Sequence, residues 1–180
     1  MRKPTKEEIM AAEGKTVPDV LKPKLDVLFC GINPGLYTAA VGHHFARPGN
    51  RFWPALYRAG ITPRELSPDE EKELLDYGFG ITNIVTRATA AAADLTREEL
   101  EEGGKILRDK VRTYQPKILA VLGVTAYRSA FHKPHAKVGL QEETINGTRI
   151  WVLPNPSGLN AHYHLNDIAE LFRQLNEVAA

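Results

Sequence analysis

Cysteine is almost absent from this chain: one residue, Cys30, in 180. A lone cysteine forbids an internal disulfide and excludes an all-cysteine zinc or iron–sulfur site. Set inside an apolar run, Cys30 reads as a small core residue. Long apolar runs are missing as well. Stretches such as Ile118-Leu119-Ala120-Val121-Leu122 fall far short of the roughly 20 residues that cross a bilayer. The amino terminus, Met1 to Lys6, is basic but runs into Glu7 and Glu8, which is no secretory signal, so a cytoplasmic location is expected. There is little excess of either charge: a formal net charge of +1 supplies no global field for a nucleic acid, and such a partner must be met by a local basic face and by shape. The six histidines include the close pairs His43/His44 and His162/His164 but no Cys or carboxylate partners at ligand spacing, so neither metal nor other cofactor is expected. Phosphate-cradling G-x-G-x-x-G and G-x-x-x-x-G-K-[ST] patterns are also missing, which argues against a small nucleotide-binding enzyme.

What is present suits one ordinary globular domain: 43% apolar and 25% charged residues over a length able to bury a real core. Residues 1–24 read as a short polar helix, about Thr5 to Glu13, and a Pro-containing arm packed on a single domain of residues 25–180. Apolar runs at 25–32, 80–85, 117–122 and 148–153 predict four strands. Helices are expected from Asn50 to Gly60, after Ser67-Pro68, from Thr96 to Tyr114, over 124–131 and from His162 to Val178, with a long loop at 36–48. Gly103-Gly104 is an awkward pair within the longest of these. Alternating strands and helices predict a three-layer α/β/α sandwich with a short, mainly parallel central sheet.

Ligands of open parallel sheets bind beyond the carboxyl ends of the strands. Three predicted strands end at Asn33, Asn83 and Asn155. An asparagine offers one acceptor and two donors, suited to an amide-like ring edge or to a water held against one. Asn33-Pro34 and Asn155-Pro156 are each also plausible as plain turns. Two such turns at the ends of two strands of one sheet favour a shared site.

Four segments then carry a family likeness. Gly31-Ile32-Asn33-Pro34-Gly35, Gly42-His43-His44-Phe45, Pro48-Gly49-Asn50-Arg51-Phe52-Trp53 and Asn155-Pro156-Ser157-Gly158-Leu159 resemble the mismatch-specific uracil-DNA glycosylases (Mug) and the thymine-DNA glycosylases, both of the uracil-DNA glycosylase superfamily. The likeness runs from about Leu25 to Phe172. It implies the fold already predicted, a partner in double-stranded DNA containing uracil or a damaged pyrimidine, and no membrane; a monomer is the default expectation. It implies that Asn33 positions a water against C1′ of a flipped nucleotide, that Phe45 stacks on the base with Ile32, Asn83 and His44 around it, and that Leu159 enters the duplex as a wedge. Asn83 and His43-His44 look like the thymine-glycosylase version, whereas Asn155 to Leu159 look like the bacterial one, with Ala161 where that type can carry an Arg.

Physical chemistry supports the chemistry the likeness implies. A stacked base must be extruded before its glycosidic bond is reached, and an apolar side chain plugs the gap. Leu159, between Gly158 and Asn160, suits that wedge, although isolated surface leucines are common. Arg47 and Arg51 can face phosphates, with Ser157 and Asn160 donating in the same way; each also reads as a solvated surface residue. No lysine stands at a motif position suited to Schiff-base attack, so hydrolysis without strand scission is expected. Asn33 orients water but hardly activates it. Asp94 is the candidate to assist, although Asp94-Leu95-Thr96-Arg97 is equally good sequence for starting the next helix. Uracil opposite guanine is the expected substrate, with breadth set by the pocket around Ile32, Ala39, Ala40 and Phe45. The rival reading is a lesion-binding protein that grips the base without cutting it.

Overall fold

The computed structural model describes all of residues 1–180. Five strands form one sheet in the order β2-β1-β3-β5-β4: β1 (Val27–Gly31), β2 (Phe79–Asn83), β3 (Ile118–Leu122), β4 (Gly139–Ile145) and β5 (Thr148–Leu153). All neighbours pair parallel except β4, which runs antiparallel to β5. β1 and β3 are buried along their whole length, as strands covered on both faces must be. Alternate residues of β1 serve different layers. Val27 and Phe29 face one core with Phe52 and Phe172; Leu28 and Cys30 face the other with Leu107, Val111 and Tyr127.

The helices follow that division. α3 (Phe52–Arg58) and α6 (Leu165–Ala179) pack together on the first face, where Phe29 meets Phe52 edge-on with centroids 5.2 Å apart. α4 (Arg97–Tyr114) and α5 (Val124–Ala130) cover the second. Gly103 and Gly104 are explained by the closeness of that packing. A β-carbon at Gly103 would collide with the Ile84 carbonyl, and one at Gly104 with the Ala130 carbonyl. The helix-propensity cost of two glycines lets α4 lie directly against backbone.

α1 (Lys6–Met10) is capped by Thr5, whose Oγ1 accepts from Glu8 N at 3.1 Å. Beyond it Val20 exchanges two backbone hydrogen bonds with Ile81, at 2.9 and 2.8 Å, and so covers the free edge of β2. Cys30 is fully buried, and desolvation pushes its thiol well above the ordinary range. No helix is long and apolar enough to cross a membrane.

Three local features differ from the sequence expectation. Residues Leu36–Val41, within the expected loop, form α2, which ends at Gly42 in the left-handed region. Pro68–Tyr77 is a 3-10 segment kinked at Glu70. β4 is not among the expected strands, because its exposed and half-exposed residues alternate and include Gln141, Glu142 and Glu143. The signal for it is the Asn146-Gly147 turn, with φ of 48° and 90°, which closes a β4–β5 hairpin.

Candidate active site

β1, β2 and β5 end at one edge of the sheet, and a cavity of about 320 Å³ opens there. Ile32, Asn33, Phe45, Asn83, Asn155 and Leu159 line it, so residues far apart in sequence converge. His44, Arg47 and Ser157 also line it. The volume falls within the span of small-molecule sites, about 300–1,000 Å³.

Asn33 is oriented by its own amide. Nδ2 donates to the Arg87 carbonyl at 3.0 Å and to Thr89 Oγ1 at 2.8 Å. Thr89 is buried, and its hydroxyl donates onward to the Ala91 carbonyl at 2.7 Å, while its N–H donates to the Pro34 carbonyl at 3.2 Å. With both amide hydrogens committed, Oδ1 is the group left to accept a hydrogen bond in the cavity.

The floor beside Asn33 is Gly31. A β-carbon there would lie 2.6 Å from Asn83 Oδ1 and 3.4 Å from Phe45 Cζ. Only a residue without a side chain fits here, where the backbone lies directly against the Asn83 amide and the Phe45 ring. Phe45 stacks on Phe52 with centroids 4.2 Å apart and 28° between planes. Its φ of 52° is unusual for a bulky residue and has to be enforced by its surroundings. Several bonds on neighbouring residues enforce it. Trp53 Nε1 donates to the His44 carbonyl at 3.0 Å, Ala46 N to Thr38 Oγ1 at 3.1 Å and His44 N to Glu71 Oε1 at 3.3 Å. His43 Nδ1 meets the other oxygen of the buried Glu71 at 2.5 Å.

His44 lines the cavity and is also tied to the amino-terminal arm. Its Nε2 donates to the Pro18 carbonyl at 2.8 Å, and the residue is 2% exposed, so it ties the amino-terminal arm to the stacking loop. Arg51 is turned inward, toward main-chain carbonyls. Its backbone N–H donates to the Pro156 carbonyl at 3.0 Å. Its guanidinium donates to the carbonyls of Pro156 at 3.3 Å and Asn160 at 3.1 Å, and to those of Ser157 and Tyr163. Four carbonyls around one planar cation brace the loop from Asn155 to Tyr163.

Within that loop Asn155 Oδ1 accepts from Ser157 N at 2.9 Å, and Ser157 Oγ accepts from Leu159 N at 3.2 Å. Asn160 Nδ2 donates to the Asn155 carbonyl at 3.1 Å. Asn155 is thus the turn residue that its pairing with proline suggests, whereas Asn33 sends its amide across to another loop. Gly158 sits so close to Gly49 that a β-carbon would lie 2.8 Å from that carbonyl. The tip of the loop presents Leu159, 76% exposed. Arg47 is exposed at the same lip.

A family model described as the uracil DNA glycosylase superfamily matches residues 18–179. The chain belongs to that superfamily. Its fold is also similar to a solution NMR structure of a "putative Uracil DNA glycosylase" from Methanosarcina acetivorans. The two share a TM-score of 0.62 and 18% identity over 91% of this chain and 98% of that one.

Asp94 lies just outside the cavity lining. Its Oδ2 accepts from Ala91 N at 3.1 Å and closes a 3-10 turn, Ala92–Asp94, and the residue is exposed. The helix α4 starts instead from Thr96, whose Oγ1 accepts from Glu99 N at 3.1 Å. No carboxylate and no lysine lines the cavity. Thr38, Glu71 and Thr89 were missed by sequence reasoning, because each acts through a partner at least 8 residues away.

Proposed function

We propose that this member of the superfamily is a monofunctional DNA glycosylase that extrudes uracil from duplex DNA, best opposite guanine, and hydrolyses its N-glycosidic bond. The observation that carries the reading is Asn33, held by both amide hydrogens so that Oδ1 is left to accept, in a cavity that Gly31, Asn83 and Phe45 also line. In this reading Phe45 stacks on the extruded base, and the Asn83 amide pairs with the ring edge: Oδ1 accepts from N3–H and Nδ2 donates to O4. Leu159 fills the vacated place in the stack. A mismatched uracil costs less to unpair than a paired one, which favours U·G over U·A.

The bond between N1 and C1′ breaks as its electron pair leaves with uracil, whose anion is stabilised by preorganised N–H donors. Water oriented by Asn33 Oδ1 adds to the cationic C1′ and loses a proton, leaving an abasic sugar and, once N1 is protonated, free uracil. A lining without lysine offers no amine for Schiff-base attack, so the strand stays whole. A lining without a carboxylate puts the chemistry on the leaving group and on water position, which belongs to a slow enzyme.

Asp94 then serves as the cap that shapes the wall at Ala91 and Ala92. Asp94→Asn keeps an acceptor for Ala91 N and is expected to retain most of the single-turnover rate, while Asp94→Ala loosens the turn and slows it. A general base would show instead as a loss of about 10²–10⁴-fold in both variants, and that result would assign Asp94 to water activation.

Uracil release from U·G and U·A duplexes and from free deoxyuridine tests the reading as a whole. Release from duplex and none from the nucleoside is expected. Cleavage of free deoxyuridine at a comparable rate would make the protein a small-molecule hydrolase and leave Leu159 without a task.

A further inference from the structure

The segment from Arg87 to Glu99 is closed on itself like a strap, and its middle, Ala90 to Ala92, is a wall of the cavity. Arg87 faces two ways. Its carbonyl accepts one of the two Asn33 amide hydrogen bonds, at 3.0 Å. Its side chain leaves the strap and meets Glu99 at two points, Nε to Oε2 at 2.5 Å and Nη2 to Oε1 at 2.9 Å. Glu99 sits in the first turn of α4, where Oε1 also accepts from Thr96 N at 3.1 Å and its own N–H donates to Thr96 Oγ1. Arg87 Nη2 further reaches the Asp94 carbonyl at 3.5 Å, across the base of the strap.

We propose that Arg87 and Glu99 are positioning residues for Asn33: their two-point pairing anchors the Arg87 carbonyl to the start of α4, and the carbonyl in turn sets the direction of the Asn33 amide. This rests on the function proposed above. Neither side chain lines the cavity, so the effect passes through the backbone of one residue. The pair is partly exposed, 39% and 29%, and exposed pairs add little to global stability. A planar guanidinium against a carboxylate does, however, fix direction as well as distance, as a lysine cannot.

The pairing also persists in acid. Arg87 and the Thr96 N–H hold the Glu99 carboxyl down to about 2, against an ordinary value near 4.5. A carboxyl with a lowered folded value contributes stability that is full above its unfolded value and fades from there as pH falls through about 2. Activity measured between about pH 5 and 9 therefore sees the clamp closed throughout, and a pH profile in that range reports other groups.

A double-mutant cycle on the full chain tests the proposal, with U·G duplex under single-turnover conditions. Arg87→Ala is expected to slow uracil release about ten- to a hundredfold, the cost of a small misplacement at a reacting centre, with duplex affinity unchanged. Glu99→Gln keeps an acceptor for Thr96 N and should slow release by a smaller factor in the same direction. In an Asn33→Ala background Arg87→Ala should cost nothing further, because the residue through which it acts is gone. Equal losses in both backgrounds would overturn the proposal.

A second readout does not depend on activity. In ¹⁵N–¹H spectra the Asn33 side-chain NH₂ pair should be resolved and protected from exchange, and Arg87→Ala should move it. An unmoved pair overturns the clamp. If the wild type releases no uracil, the proposed function fails while this spectrum still judges the clamp.

Discussion

Asn33→Ala is expected to lower the single-turnover rate of uracil release from U·G duplex by about 10²–10³-fold, the cost of removing one preorganised polar group from a dry site. Asn33→Asp is the more telling variant. A carboxylate is in principle the better partner for water, since it can accept a proton. The wiring of this chain is against it, because the Arg87 carbonyl sits 3.0 Å from the nitrogen that an aspartate replaces with oxygen. An ionised carboxylate would set oxygen against oxygen there, so the introduced group is expected to hold its proton to higher pH than an ordinary carboxyl. Thr89 can reverse its hydroxyl and donate, but the Ala91 carbonyl then loses its bond of 2.7 Å. The expected result is a variant slower than wild type at about pH 6, with a rate that climbs as pH rises through the ionisation of the introduced carboxyl. A rate above wild type across the whole range would show that the strap does not demand an amide.

Gly31→Ala is expected to remove uracil cleavage almost completely while leaving duplex binding in place. The added carbon would lie 2.6 Å from Asn83 Oδ1, inside ordinary contact, and 3.4 Å from the Phe45 ring. Phe45 cannot yield easily, because it rests on Phe52 in a strained left-handed conformation, and the Asn83 amide has to rotate out of contact, off the ring edge it is proposed to pair with. Overpacking of this kind costs about 1–3 kcal/mol in stability, which a thermal melt should show as a modest drop. The braced loop from Asn155 to Tyr163 is untouched, so Leu159 can still probe the duplex. Loss of cleavage with retained binding separates the base slot from the wedge. Wild-type cleavage by Gly31→Ala would mean that the base sits elsewhere.

Much of this architecture could be read from local sequence, and the reasons are specific. Val27 to Gly31 and Ile118 to Leu122 are apolar throughout, because both faces of a parallel strand are covered. Asn33, Asn83 and Asn155 stand directly after or at the end of such runs, so their place at one sheet edge follows from topology. β4 escaped because an edge strand that is partly wet on both faces carries Gln141, Glu142 and Glu143 in succession, which breaks any apolar run, and only Asn146-Gly147 announced it. α2 escaped because six residues between turns leave no periodicity to detect.

The partners of Arg51 and His44 lay beyond sequence reasoning for a different cause. Arg51 is a charged side chain beside a loop, which suggests solvent or phosphate, and His44 stands in a motif that suggests the base. Their partners are main-chain carbonyls, and those of Arg51 lie 105 to 112 residues further along the chain. The same holds for the grip of Arg87 and Thr89 on Asn33, across 54 and 56 residues. A carbonyl is common to every residue type, so no sequence signal marks the one that is used.

The most direct test of the central claim uses a labelled duplex with one U·G pair and excess protein, sampled with and without alkali. The strand is expected to stay intact at neutral pH and to break at the uracil position after alkali, the mark of an abasic site left by hydrolysis alone. A strand that survives alkali despite tight binding would contradict it and make the protein a reader of damage. A strand nicked before alkali is added would contradict it from the other side.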